Sequence, residues 1–312
     1  MLYKEVIRIN NEINLKDSLF SGQSFLWIID TDRPEYYVSV IGRSPVVLRQ
    51  ISDNTLEIQS TSNTVRNRLL PDFISNYLSL DIDHKYIFSE HFPPLYQELW
   101  KILGDYLSLR ILRQDPFETM ISFMCAQGIG MHLIRKQVSM IQQCYGEKTF
   151  ITLAGKEIPL HIFPTPERLA AVDPLAFSIC TNNNRIRASN IVLAAQGVAE
   201  GRINFDHPGM RELPLSELRN TLCQNRGIGF KIADCIALFG LGRFDAFPID
   251  THVKQYLEKW FNSTTALRSL TPASYLALDA EARTFLNPDF AGYAGHILFH
   301  CWRKEVKKLR SF

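Results

Sequence analysis

The reading of this chain turns on Leu222-Cys223-Gln224-Asn225-Arg226-Gly227-Ile228-Gly229-Phe230-Lys231-Ile232-Ala233-Asp234-Cys235. The apolar spacing predicts an amphipathic helix over 215–224 and another over 230–239, with a tight turn between them. Gly227 and Gly229 permit positive φ angles and close approach of another backbone. The first amides of the second helix point outward at the favourable end of its dipole, which suits a phosphate. A two-glycine turn serves equally as a plain connection between helices, so the turn alone leaves both readings open.

Lys231 falls in the first turn of that second helix. The dipole and neighbouring apolar residues disfavour extra positive charge there and raise the share of free amine, as an amine nucleophile needs. A solvated or phosphate-contacting lysine is the ordinary alternative. Cys235 lies four residues on, on the same helix face. Further along, Phe247-Pro248-Ile249-Asp250-Thr251-His252-Val253 places Asp250 after a proline turn and before an apolar-periodic helix, the position of an N-cap. A carboxylate there can also face a developing positive charge.

Outward from these segments the chain changes character. Its first ninety or so residues carry alternating stretches, Tyr36-Tyr37-Val38-Ser39-Val40-Ile41 and Pro45-Val46-Val47-Leu48, with turn signals at Asp53-Asn54 and Ser62-Asn63. An antiparallel sheet is expected, then a short helix near 71–78, with Pro93-Pro94 as the boundary. Beyond it, helical periodicity is expected over 95–107, 116–125, 131–144, 166–172, 186–196, 215–224, 230–239, 251–261 and 293–308, with a hairpin-like break near 150–158. The fold class is therefore α+β: a sheet domain over 1–94 and a mostly α-helical domain over 95–312. The basic ending, Arg303-Lys304 to Arg310, reads as a solvated helix face.

Composition excludes several classes. The 312 residues include six scattered cysteines without a CxxC pair, which argues against zinc, an iron–sulfur loop and a disulfide framework. No apolar run is long enough for a membrane span, and no signal peptide is evident, so an intracellular protein is expected, in the cytoplasm or nucleoid if bacterial. The formal charge of +2 leaves nucleic-acid binding to local clusters.

Gly227-Ile228-Gly229, Lys231, Ala233-Asp234-Cys235 and Pro248-Ile249-Asp250-Thr251-His252 together resemble the helix-hairpin-helix DNA glycosylase superfamily, closest to its lysine-bearing members. Ser21-Gly22-Gln23-Ser24-Phe25-Leu26-Trp27, Arg113-Gln114-Asp115-Pro116 and Ala291-Gly292-Tyr293-Ala294 are similar to its 8-oxoguanine branch, and Phe163-Pro164-Thr165-Pro166 to the superfamily at large.

The resemblance implies a TBP-like sheet domain ahead of the helical core, and a monomer acting on duplex DNA that contains a damaged base. Lys231 would attack the sugar and Asp250 would stabilise the cationic transition state. The Gly22 carbonyl would read the N7 hydrogen of 8-oxoguanine, with Cys235 and Phe299 sandwiching the base. Gly227, Gly229 and His252 would lie at the DNA backbone. The carbonyls of Cys223, Asn225 and Ile228 would hold a monovalent or divalent cation, with no other cofactor required.

Three positions depart from the branch. Ala126-Gln127 stands where it has asparagines, so Gln127 is expected to fill the gap left by the everted base. Asn184 stands where it has an aromatic wedge, beside Arg185, which would contact the opposite base. Gly295 replaces a glutamine that reads the base edge, with His296 next to it as a substitute. An alkylated-purine glycosylase and a catalytically silent damage-binding protein remain as alternatives.

Overall fold

Residues 2–309 are described by the computed structural model. Strands β1 (Tyr3–Arg8), β2 (Ile28–Ile29), β3 (Tyr36–Ile41), β4 (Ser44–Ser52) and β5 (Thr55–Ser60) pair antiparallel in the order β1-β5-β4-β3-β2. Ile41 pairs with Ser44 across Gly42 and Arg43, both with positive φ, so β3 and β4 are joined by the two-residue turn that matches strand twist. The expected Asp53-Asn54 turn lies between Ser52 and Thr55.

Leu48, Leu56 and Ile58 of the sheet bury against Leu15, Leu19, Trp27, Leu70 and Ile74. The opposite face is also covered, because Val38, Val40 and Val47 pack on Ile151, Leu153 and Leu160. Those three belong to the hairpin of Lys148–Leu153 with Lys156–His161, which accounts for the break in helical periodicity. With both faces of the sheet covered, β3 is buried from Tyr37 through Ile41, Ser39 included, rather than on alternate residues only.

The change from sheet core to helical core falls between Leu80 and Ile82, earlier than Pro93-Pro94. Those prolines instead sit within the first turn of the Phe92–Leu95 helix, where missing N–H groups cost nothing. The helix expected over 95–107 continues only as Gln97–Leu103 and a 3₁₀ turn, Gly104–Tyr106. Each core borrows one residue from the other, Phe25 entering the helical core and Leu112 the sheet core.

The hairpin helices run Leu215–Cys223 and Phe230–Cys235, the second continuing as a wider π turn, Ile236–Gly240. Their crossing is fixed from beneath. Arg219 of the first forks onto both carboxylate oxygens of Asp234 of the second at 2.7 and 3.0 Å, and reaches Asp279 at 3.0 Å. Tyr275 adds its hydroxyl to Asp234 at 2.6 Å. Removing one partner from such a buried network leaves a stranded charge and costs about 3–5 kcal/mol.

Tyr275 and Asp279 come from the Pro272–Ala282 helix, which sequence periodicity does not reveal. Its apolar residues form no single stripe, and a Thr271–Ser274 capping box starts it instead. The last helix begins at Ala291 rather than 293 and ends at Cys301, followed by a π turn, Trp302–Val306. Arg303 is buried there rather than solvated; Arg310 lies outside the described residues.

Candidate active site

The hairpin turn is shaped by what it touches. Gly227 has φ +86°, and a Cβ there would meet the Asn190 side chain at 2.9 Å, so the turn lies directly on the Arg185–Ala199 helix. Gly229 is the N-cap of the second hairpin helix, with extended backbone, which places Lys231 in its first turn. Lys231 Nζ sits 5.0 Å over the Phe123 ring. Cys235 is buried one turn on, and burial pushes its thiol up to about 12, so it lines the site as a neutral wall.

Asp250 arrives from the opposite side. The strap before it, Phe244 to Ile249, lies on the Ala291–Cys301 helix at two glycines. A Cβ on Gly292 would meet the Ala246 carbonyl at 1.8 Å, and one on Gly295 would meet Phe247 Cε2 at 2.2 Å. Gly292 donates its N–H to the Phe244 carbonyl at 2.8 Å, and Ile249 donates to the Tyr275 hydroxyl at 3.1 Å. The strap ends at Asp250, whose Oδ1 accepts from the His252 and Val253 amides at 2.8 and 2.9 Å. Capping Thr251–Phe261 thus occupies Oδ1 and leaves Oδ2 outside the cap.

The third wall comes from the sheet domain. Gly22 holds φ +98°, and a Cβ on it would meet Met131 Sδ at 2.5 Å. Its loop is pinned by the buried Gln23 amide, which donates to the Ser18 and Arg110 carbonyls and accepts from Leu112 N–H at 2.8 Å. Ser21, one residue earlier, contacts His296 Nε2 through its hydroxyl at 2.8 Å.

These walls enclose a cavity of about 400 Å³, lined by Gly22, Lys231, Cys235, Asp250, Gly295 and Phe299 among others. A space of that size holds one nucleobase with its sugar. His252 also lines it, edge-on to Phe299 at 5.8 Å. Burial lowers the His252 pKa, against the pull of Asp250. Arg303 lines the cavity too, its guanidinium over the Phe299 ring at 5.5 Å.

Gln127, Asn184, Arg185, Gly227 and Gly229 do not line the cavity; they form a face beside it. Gln127 donates to the Gly227 carbonyl at 2.6 Å, and the buried Arg187 donates to the Gln127 carbonyl. Asn184 is exposed and caps its helix, its Oδ1 accepting from Arg187 N–H at 2.9 Å. Arg185 is exposed at the first position of that helix. Cys223 ends the first hairpin helix, and Asn225 and Ile228 lie in the turn, where the Asn225 carbonyl accepts from Ile228 N–H at 3.1 Å. Phe247, Met131 and Arg187 were not singled out from the sequence. The signal for Phe247 was Gly295 itself, since a helix-interior glycine implies a close neighbour.

Fold and hairpin place the chain among the helix-hairpin-helix DNA glycosylases. A family model described as the 8-oxoguanine DNA glycosylase N-terminal domain matches residues 6–120. The Arabidopsis thaliana protein named N-glycosylase/DNA lyase OGG1 is 30% identical over 302 residues, spanning 93% of this chain and 77% of that one. The Saccharomyces cerevisiae N-glycosylase/DNA lyase is 28% identical over 269 residues, spanning 80% and 68%. A solved structure described as MBOgg1 in complex with a low-affinity DNA ligand superposes with a TM-score of 0.79 at 31% identity, covering 96% of both chains. The chain belongs to the 8-oxoguanine DNA glycosylase family. Among the described residues, no helix is long and apolar enough to cross a membrane, and no cluster of three or more His, Cys, Asp or Glu is placed to hold a metal ion.

Proposed function

We propose that the protein excises oxidised purine, 8-oxoguanine foremost, from duplex DNA and then nicks the strand. The observation that carries this is the convergence of Lys231 and Asp250 with Gly22, Cys235 and Phe299 on one base-sized cavity. An everted nucleotide enters between the sheet domain and the hairpin, the unstacking cost offset by contacts to the kinked backbone. Cys235 and Phe299 flank its ring.

The free amine of Lys231 attacks the anomeric carbon as the glycosidic bond breaks, and the bonding pair leaves with the base. Asp250 faces the positive charge that develops on the sugar. Loss of a proton from nitrogen and opening of the sugar give an imine. The imine acidifies the neighbouring C2′ position, and loss of that proton expels the 3′ phosphate, leaving the nick.

Outside the cavity, the Gly227–Gly229 amides suit a phosphate, Gln127 lies where the vacated stack has to be filled, and Arg185 faces the opposite strand. The carbonyls of Cys223, Asn225 and Ile228 are hard oxygen donors suited to a monovalent or divalent cation, which would add positive charge beside that phosphate. Such a protein acts wherever the cell keeps its DNA, inside the cell.

Borohydride trapping tests the reading on duplexes carrying 8-oxoguanine, an alkylated purine or undamaged guanine. Wild-type protein is expected to give a covalent adduct with 8-oxoguanine. Lys231→Gln should give none, with base release at least about 1,000-fold slower and duplex binding retained. Release of the alkylated purine without any adduct would instead mean a water nucleophile and a different substrate class.

A further inference from the structure

Gly295 leaves no room for any side chain, because the Phe247 ring rests on the helix backbone at that point. Phe247 is only 1% exposed, held by the strap that ends at Asp250, so its ring carbons close this side of the cavity. An apolar wall cannot hydrogen-bond a base edge, and the reading group has to come from elsewhere. Lys231 and Asp250 are committed to the sugar, and the Arg303 guanidinium lies over the Phe299 ring.

Of the other polar side chains on the wall, His132 is exposed and His252 is half-buried beside Asp250, whereas His296 directly follows Gly295. His296 is buried yet lines the cavity, with its ring stacked on Phe299 at 5.6 Å and 23°, and set edge-on to Phe239 at 5.2 Å. Its Nε2 is bound to the Ser21 hydroxyl at 2.8 Å; its Nδ1 has no protein partner among the described residues. Packing on both sides and a bond at one nitrogen fix the ring, which leaves the second nitrogen for a ligand. Ser21 directly precedes Gly22, so the imidazole is registered against the loop expected to sense N7.

We propose that His296, held by Ser21, is the residue that hydrogen-bonds the everted base and sets purine specificity, in place of a side chain at position 295. The inference rests on the glycosylase reading above. Burial drives the imidazole pKa down to about 3, so the ring acts as a neutral group. A neutral imidazole paired with a hydroxyl presents its second nitrogen as a donor or an acceptor, according to which way the hydroxyl turns.

The test compares two reactions of the same protein. Release of 8-oxoguanine needs the base to be held; cleavage of a preformed abasic site needs Lys231 but has no base to read. For His296→Leu, single-turnover base release should slow about 100-fold while abasic-site cleavage stays within about threefold. Ser21→Ala, which keeps the ring but frees it, should slow base release about 10-fold with abasic cleavage likewise kept.

Base release at the wild-type rate in both variants overturns the inference. So does an equal loss of both reactions in Ser21→Ala, which would mark a structural role. If His296→Leu fails to fold, His296→Asn and Ser21→Ala decide by the same comparison. Wild-type protein inert on both substrates would instead remove the glycosylase reading beneath.

Discussion

Gln127 hands its side-chain amide to the carbonyl of Gly227 at 2.6 Å, tying the loop after the Pro116–Cys125 helix to the turn of the hairpin. The loop that would enter the DNA stack and the turn that would grip the backbone are therefore coupled before any DNA arrives. Gln127 is exposed, so truncation opens no cavity. For Gln127→Ala we expect base release about 10-fold slower and an unfolding free energy within about 0.5 kcal/mol of wild type. Single-turnover kinetics beside urea unfolding check this; unchanged release would remove Gln127 from the DNA-entering role.

The two duties of Asp250 separate by substitution. An asparagine keeps an oxygen for the His252 and Val253 amides, so Asp250→Asn should lose less than about 1 kcal/mol of stability. Its base release should nonetheless fall at least about 100-fold, because the negative charge facing the sugar is gone. Asp250→Ala should lose both, with about 1–2 kcal/mol of stability. Thermal unfolding set beside excision rates shows whether cap and charge divide in this way.

Gly295 and Phe247 form an inseparable pair. Gly295→Ala drives a methyl into the Phe247 ring and should destabilise by about 1–3 kcal/mol through overpacking. In a Phe247→Leu background the same change should cost at least about 1 kcal/mol less. A double-mutant cycle in urea measures the coupling, and additive costs would mean that the ring moves aside freely.

His296 also sets a pH dependence of stability. Its folded pKa of about 3 lies below the ordinary 6.5, because burial and the nearby His300 and Arg303 disfavour its charged form. The unfolded chain therefore takes up that proton first as pH falls. The contribution is whole above pH 6.5 and is lost progressively toward pH 3, amounting to about 2 kcal/mol by pH 5. His296→Phe should lose correspondingly less stability than wild type between pH 7.5 and 5, and parallel losses would refute the assignment. His84, half-buried and pushed down to about 4, is untouched in both proteins and cancels in the comparison.

The local signals in the sequence were those whose physics is local. Lys231, the Asp250 cap and the hairpin glycines follow from helix ends, and the β3–β4–β5 meander follows from alternation and turns. What stayed hidden depends on distant partners. The helix expected from 186 starts one residue earlier, at Arg185, which makes Asn184 its cap. Arg303 looked like part of a solvated basic face, yet the π turn after Cys301 buries it against Phe299. The Pro272–Ala282 helix shows no apolar stripe, because its buried face mixes Ser274 and Asp279 with Tyr275, Leu278 and Ala282, while Leu276 is exposed.

The bond between Ser21 and His296 joins residues 275 positions apart. During synthesis at about 5–20 residues per second, the first partner waits roughly 15 to 55 s for the second. In that interval the sheet and the hairpin with its lysine are already translated, while the base cavity still lacks its last helix. A nascent chain at that stage has its hairpin turn but not the helix that closes the base cavity. Competence to cut is thereby withheld until the Ala291–Cys301 helix has been made.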